Sequence, residues 1–105
     1  MSVVVRVSIL RCKPEDFAQL REMMMAALAP LEPGIGKMPG FVHFYAGADE
    51  ASSSLSNVSI WTSFETAKQL DTYQPMLDLG REFVAKGANF ERPVMNYTTL
   101  WEMPK

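Results

Sequence analysis

The feature that most constrains this chain is the order in which its apolar spacing changes from strand-like to helix-like and back. Val3 to Leu10 is short and rich in β-branched residues, which predicts a strand. Val3, Val5, Val7 and Ile9 make one apolar face of it, and Val4, Arg6, Ser8 and Leu10 a mixed one. Helical spacing follows. Pro14 suits a first helical position, Glu15 and Asp16 suit the positive end of a helix dipole, and Phe17, Leu20, Met24, Ala27, Leu28 and Leu31 form a stripe. Pro30, Pro33 and Gly34 are expected to stop this helix, with Gly34 to Gly40 as a connector. Phe41 to Ala46 reads as a second strand, Asp49 to Ser56 as an exposed polar loop, and Asn57 to Phe64 as a third strand. Thr62 and Glu65 have capping-box spacing, so a second helix is expected to start there. Pro75 restarts or kinks it, Met76, Leu79, Gly80, Phe83 and Val84 mark its apolar side, and Gly87 is its stop. Val94 to Met103 is the last strand.

The resulting order, βαββαβ, predicts an α+β fold of ferredoxin-like plan: a four-stranded antiparallel sheet with helices on one face. No internal repeat or hinge is visible, so residues 1–105 read as a single domain. Such a sheet leaves its other face open. Val4, Leu10, Met95, Tyr97 and Trp101 are too apolar for all to be wet, which predicts a homodimer with two sheets packed face to face.

Charge narrows the function. Ten basic and twelve acidic residues give a net charge of −2, so neither nucleic acid nor an anionic membrane is expected as a main partner. No apolar run approaches the roughly 20 residues of a membrane span. The stretch Met1 to Arg6 lacks the basic start of an export signal, which predicts a cytoplasmic protein. A single cysteine, Cys12, and a single histidine, His43, exclude an internal disulfide and a Cys/His zinc site, and no metal is expected.

Several motifs carry little chemistry. Gly34-Ile35-Gly36 follows a helix and precedes a strand, the wrong order for a phosphate cradle, and reads as a turn. Ser52-Ser53-Ser54 lacks a nucleophile elbow. Cys12 has no neighbouring base and reads as a small apolar filler, and Met23-Met24-Met25 as core filling. Gly40-Phe41-Val42-His43-Phe44 looks like the tail of an RNA-recognition motif, but it sits on the second strand where that motif belongs on the third. His43 is either a base in a pocket or a half-buried strand histidine. Arg6, in a valine-rich strand, needs a partner, with Glu102 or a carboxylate across the dimer as candidates. Trp61 and Trp101 end the third and fourth strands, where a tryptophan is more often core or interface than catalytic; a pocket mouth at the end of the third strand is the alternative for Trp61.

Lys13-Pro14-Glu15, Pro39-Gly40-Phe41 and Ile60-Trp61-Thr62-Ser63-Phe64-Glu65-Thr66-Ala67 together resemble the antibiotic biosynthesis monooxygenase-like proteins of the dimeric α/β-barrel superfamily. The resemblance implies a homodimer with a small aromatic ligand held between sheet and helices. It also implies a cofactor-independent monooxygenase, or a binding or stress-related relative without catalysis. In oxygenation of anthrones or quinols the substrate anion passes an electron to dioxygen, so no cofactor is needed. The resemblance assigns Asn57, Trp61 and Arg81 as catalytic candidates. Its tyrosine position falls near Ala67, leaving Tyr73 as the nearest substitute, with His43 a further candidate for substrate binding. The residues that haem-degrading members need are replaced by Val7, Leu70 and Gly80.

Overall fold

The computed structural model describes residues 2–104; Met1, which opens the N-terminal stretch read above, and Lys105 lie outside the described residues. The strand β1 (Val4–Arg11) is followed by α1 (Pro14–Ala26), α2 (Leu28–Ile35), β2 (Phe41–Asp49) and β3 (Ser54–Trp61). Then come α3 (Phe64–Ala67), a 3-10 helix (Lys68–Thr72), α4 (Gln74–Ala85), β4 (Asn89–Phe90) and β5 (Met95–Thr98). The sheet runs β2-β3-β1-β4, and β5 also pairs β1, all antiparallel. This is the expected ferredoxin-like order, but the last strand is in two pieces: β4 lies before the expected start at Val94, and β5 ends at Thr98 rather than Met103. Leu10 pairs Phe90 and Val7 pairs Met95, so three steps along β1 take five along its partner. The surplus residues bulge around Pro93, which has no N–H to give to a ladder.

Four expectations about elements need correction. The first helix does not stop at Pro30; it breaks at Ala27 and resumes as α2 through Pro30 and Pro33. Pro30 falls in the first turn of α2, where an amide donor has no helical partner to lose. Gly34 therefore lies in a helix, and its missing Cβ leaves the place taken by the Tyr73 hydroxyl. The loop expected over Asp49 to Ser56 shrinks to a tight turn between β2 and β3, in which Ser53 is buried with φ 49° and accepts from the Cys12 amide and thiol. The helix cap is Ser63, not Thr62. Ser63 Oγ accepts from the Thr66 amide at 3.1 Å, and Thr66 Oγ1 accepts from the Ser63 amide at 3.2 Å. Lastly, Val4 and Leu10 are covered by helices rather than left on the open face.

The helix-covered face of the sheet is apolar at its ends and polar in its middle. Along β1 it reads Val4, Arg6, Ser8, Leu10; along β3, paired in register, it reads Trp61, Ser59, Asn57, Leu55. One buried cluster gathers Val4, Ile35, Trp61, Ala67 and Leu70 at one end. The other gathers Leu10, Phe17, Leu20, Leu55, Phe83 and Ala88. Between them lies a cavity. The opposite face presents Val5, Val7, Ile9, Val58, Ile60, Met95 and Tyr97.

Candidate functional site

The cavity lies between the sheet and the helices α1, α2 and α4, with a volume of about 740 Å³. Its walls are apolar: Met24, Ala27 and Leu31 on one side, Leu79, Gly80 and Phe83 of α4 on the other. Its floor is polar, built from Arg6 and Ser8 of β1, Asn57 of β3 and Asn96 of β5. Strand register sets them side by side, since Arg6 pairs Asn96 on one flank and Ser8 pairs Asn57 on the other.

Arg6 is the central group. Its side chain is 8% exposed, and Nη2 donates to Asp71 Oδ1 at 2.8 Å. A guanidinium in such a place needs a partner, because burial without one is costly. Asp71 comes from the 3-10 helix, which replaces both partners expected from the sequence, Glu102 and a carboxylate across a dimer. Arg6 also lines the cavity, and a guanidinium carries five N–H donors, more than Asp71 Oδ1 takes up. Asn96 Oδ1 is buried without a hydrogen-bond partner among the described residues, so the floor holds an orphan polar atom. Such an atom in a cavity is a place for a ligand group or water.

The sequence candidates separate. Asn57 lines the floor and Arg81 the rim, where Arg81 is 77% exposed and lies 3.6 Å from Asp78. Trp61 is not at a pocket mouth. It is fully buried in the end cluster, its indole N–H donates to Ser59 Oγ at 2.8 Å, and its ring meets Phe41 edge-on. Trp61 supports the floor through Ser59, its neighbour on the same face. His43 lies on the open side of the sheet, stacked on Tyr45, because the bulge between Phe41 and His43 shifts its parity. Tyr73 caps α4 and packs into the Trp61 cluster under Gly34. Neither lines the cavity. Arg6, Asn96 and Asp71 were missed as a set. The available signal was two strands, each with two polar residues at alternate positions between apolar ones.

Arg6, Arg81 and Arg92 face the cavity against one carboxylate, Asp71. Arg6 is paired with Asp71 and Arg81 lies beside Asp78, which leaves Arg92 as the lining arginine without a carboxylate partner among the described residues. Among the described residues no group of three or more His, Cys, Asp or Glu is placed to hold a metal ion. Among the described residues no helix is long and apolar enough to cross a membrane.

SnoaB, a cofactor-independent oxygenase from Streptomyces nogalater, matches with a TM-score of 0.65 at 18% identity, covering 100% of both chains. This chain has the fold of the antibiotic biosynthesis monooxygenase-like proteins. A candidate antibiotic biosynthesis monooxygenase from Deinococcus radiodurans matches at 0.74 and 10% identity over 97% of each chain. A protein of unknown function from Nitrosomonas europaea matches at 0.68 and 16%, over 100% of this chain and 97% of its own. No family model and no curated protein matches the sequence.

Proposed function

We propose that this protein is a cofactor-independent oxygenase of the antibiotic biosynthesis monooxygenase-like family, acting on a small aromatic substrate that ionises in the cavity. The observation that carries the reading is the buried Arg6 beside Asn57 on the floor of an otherwise apolar cavity. The apolar walls suit aromatic rings, and the floor donors suit an oxyanion that develops on them. The fold shared with SnoaB supports the reading.

For an anthrone the reaction runs as follows. The ring methylene loses a proton, and Asp71 is the cavity carboxylate that takes it. The enolate oxygen lies against the Arg6 and Asn57 donors. The carbanion passes an electron to dioxygen, and the resulting radicals combine at carbon. One oxygen atom stays as the new carbonyl, and the other leaves as water with the two displaced hydrogens. Arg81 acts from the rim, and Trp61 holds Ser59 and the strand end in place.

A second reading is a binding protein without turnover. One observation favours it: Asp71, the carboxylate lining the cavity, is already engaged by Arg6 at 2.8 Å. Oxygen uptake with anthrone separates the two. Catalysis predicts uptake in proportion to anthraquinone formed, with Asn57→Ala slowing turnover about a hundredfold and Arg81→Ala, being solvent-screened, slowing it less. Binding of anthrone without oxygen uptake leaves the binding reading.

In either reading the active form is a homodimer closed over the open sheet faces. The apolar row of Val5, Val7, Ile9, Val58 and Ile60 supports this. We place the protein in the cytoplasm as one domain.

A further inference from the structure

A second, smaller cavity of about 270 Å³ opens beneath α2. It shares Met24, Ala27, Leu31 and Phe44 with the main cavity, so the two spaces meet there. Beyond that junction its lining is Leu28 and Ile35 of α2 with Phe41 and Ala46 of β2. Its origin is visible in the strand. The helix-facing positions of β2 after Phe44 are Ala46 and Ala48, too small to fill the space under a helix. The one charged residue on its lining is Glu32, which is exposed. The main cavity has a polar floor and this annex has none.

A ligand that reaches from one to the other must change character along its length. We propose that the protein binds amphiphilic aromatic compounds, with the oxygenated ring on the Arg6 and Asn57 floor and an uncharged alkyl arm in the annex under α2. This rests on the ligand site proposed above but not on its being catalytic. An arm of hydrocarbon gains from burial at every carbon and leaves no polar atom unpaired. A second polar head gains nothing in the annex, and an anionic one meets Glu32.

The test is calorimetric affinity for hydroquinone and its butyl, hexyl and octyl derivatives. In the wild-type protein each added methylene should tighten binding roughly three- to fourfold until the annex is full. Ala46→Phe fills the annex from an exposed strand position away from the floor. It should flatten the chain-length dependence and leave hydroquinone itself bound as before. Leu28→Ala, at a side chain 64% exposed, should weaken the octyl compound alone and guards against a misfolded Ala46→Phe. Both variants also exclude adventitious binding on the open sheet face, which neither touches. Affinity independent of chain length, or a chain-length dependence unchanged in both variants, overturns the proposal. Chain-length-dependent binding without oxygen uptake overturns only the catalytic reading.

Discussion

Arg6 sits among valines, yet the fold spends a buried position on it, and its neighbours explain why it is tolerated. Its charge is met by Asp71, whose own side chain is 48% exposed. The pair is therefore asymmetric. Asp71→Ala strands a buried guanidinium, and should lower stability by about 2 kcal/mol, below the full value for a wholly buried pair. Arg6→Met leaves a carboxylate that water can reach, and should change stability by less than about 1 kcal/mol while abolishing affinity for hydroquinone. Urea midpoints for the two variants check the order, and an equal loss in both contradicts it. Cys12 makes a second residue-scale case. Its thiol donates to the Ser53 carbonyl at 3.4 Å, and burial, then the Asp16 charge, push its pKa up. The thiolate is the reactive form, so labelling by iodoacetamide at pH 8 should run slower than for a free thiol, whose pKa is about 8.5. The rate should still be rising with pH where that of a free thiol has levelled off, and unfolding in urea should remove the difference at pH 8.

The corner joining β2, β3 and α3 is set by backbone chemistry. Gly40 has φ +77°, and a Cβ there would stand 2.6 Å from Thr66 Cβ. Its carbonyl accepts from the Thr62 amide at 2.9 Å, just before the Ser63 cap. Gly40→Ala should destabilise by about 1–3 kcal/mol, and Ser63→Ala by about 1 kcal/mol. Because both act on the same corner, the double variant should depart from additivity in a urea series. The sequence made much of this level legible. Pro14, Pro75 and Gly87 mark the ends that the structure shows, because each acts through its own backbone. Thr62 mimics a cap because Glu65 stands at capping-box spacing, but the reciprocal bonds join Ser63 and Thr66. Pro33 carries a helix-stop signal, but tertiary packing of Leu31 and Ile35 holds a helix through it. The site was legible only in part. Asn57 lies on the floor, while His43 misses it through a single-residue bulge that no periodicity count reveals. Asn96 and Asp71 reached it through cross-strand and long-range pairing, which leaves no local trace.

At the scale of the whole molecule, the sheet has one face under helices and one bare. Along β1 the bare face is Val5, Val7 and Ile9; along β3 it is Val58 and Ile60; Met95 and Tyr97 extend it at 45% and 52% exposure. Charged side chains gather at one end of this face, where Arg11 and Asp49 flank Ser54 and Arg11 is ion-paired with Glu91; His43, stacked on Tyr45, is the titratable group nearer the row. A contiguous apolar patch of this kind on an isolated chain marks an interface. Pairing with a second copy about a two-fold axis covers it with an identical patch. Val58 tests this best, since it pairs Val7 on one side and Tyr45 on the other, in the middle of the row. Val58→Asp puts a carboxylate on a face that water reaches in the monomer, so the subunit should keep its fold. In the dimer the same change would appear twice within the apolar row, and an unpaired buried charge costs several kcal/mol at each copy. Sedimentation at micromolar concentration should give twice the chain mass for the wild-type protein. Val58→Asp should sediment as a single chain with an unchanged circular dichroism spectrum. A wild-type protein that sediments as a single chain would remove the dimer, while a Val58→Asp dimer would move the contact off this face.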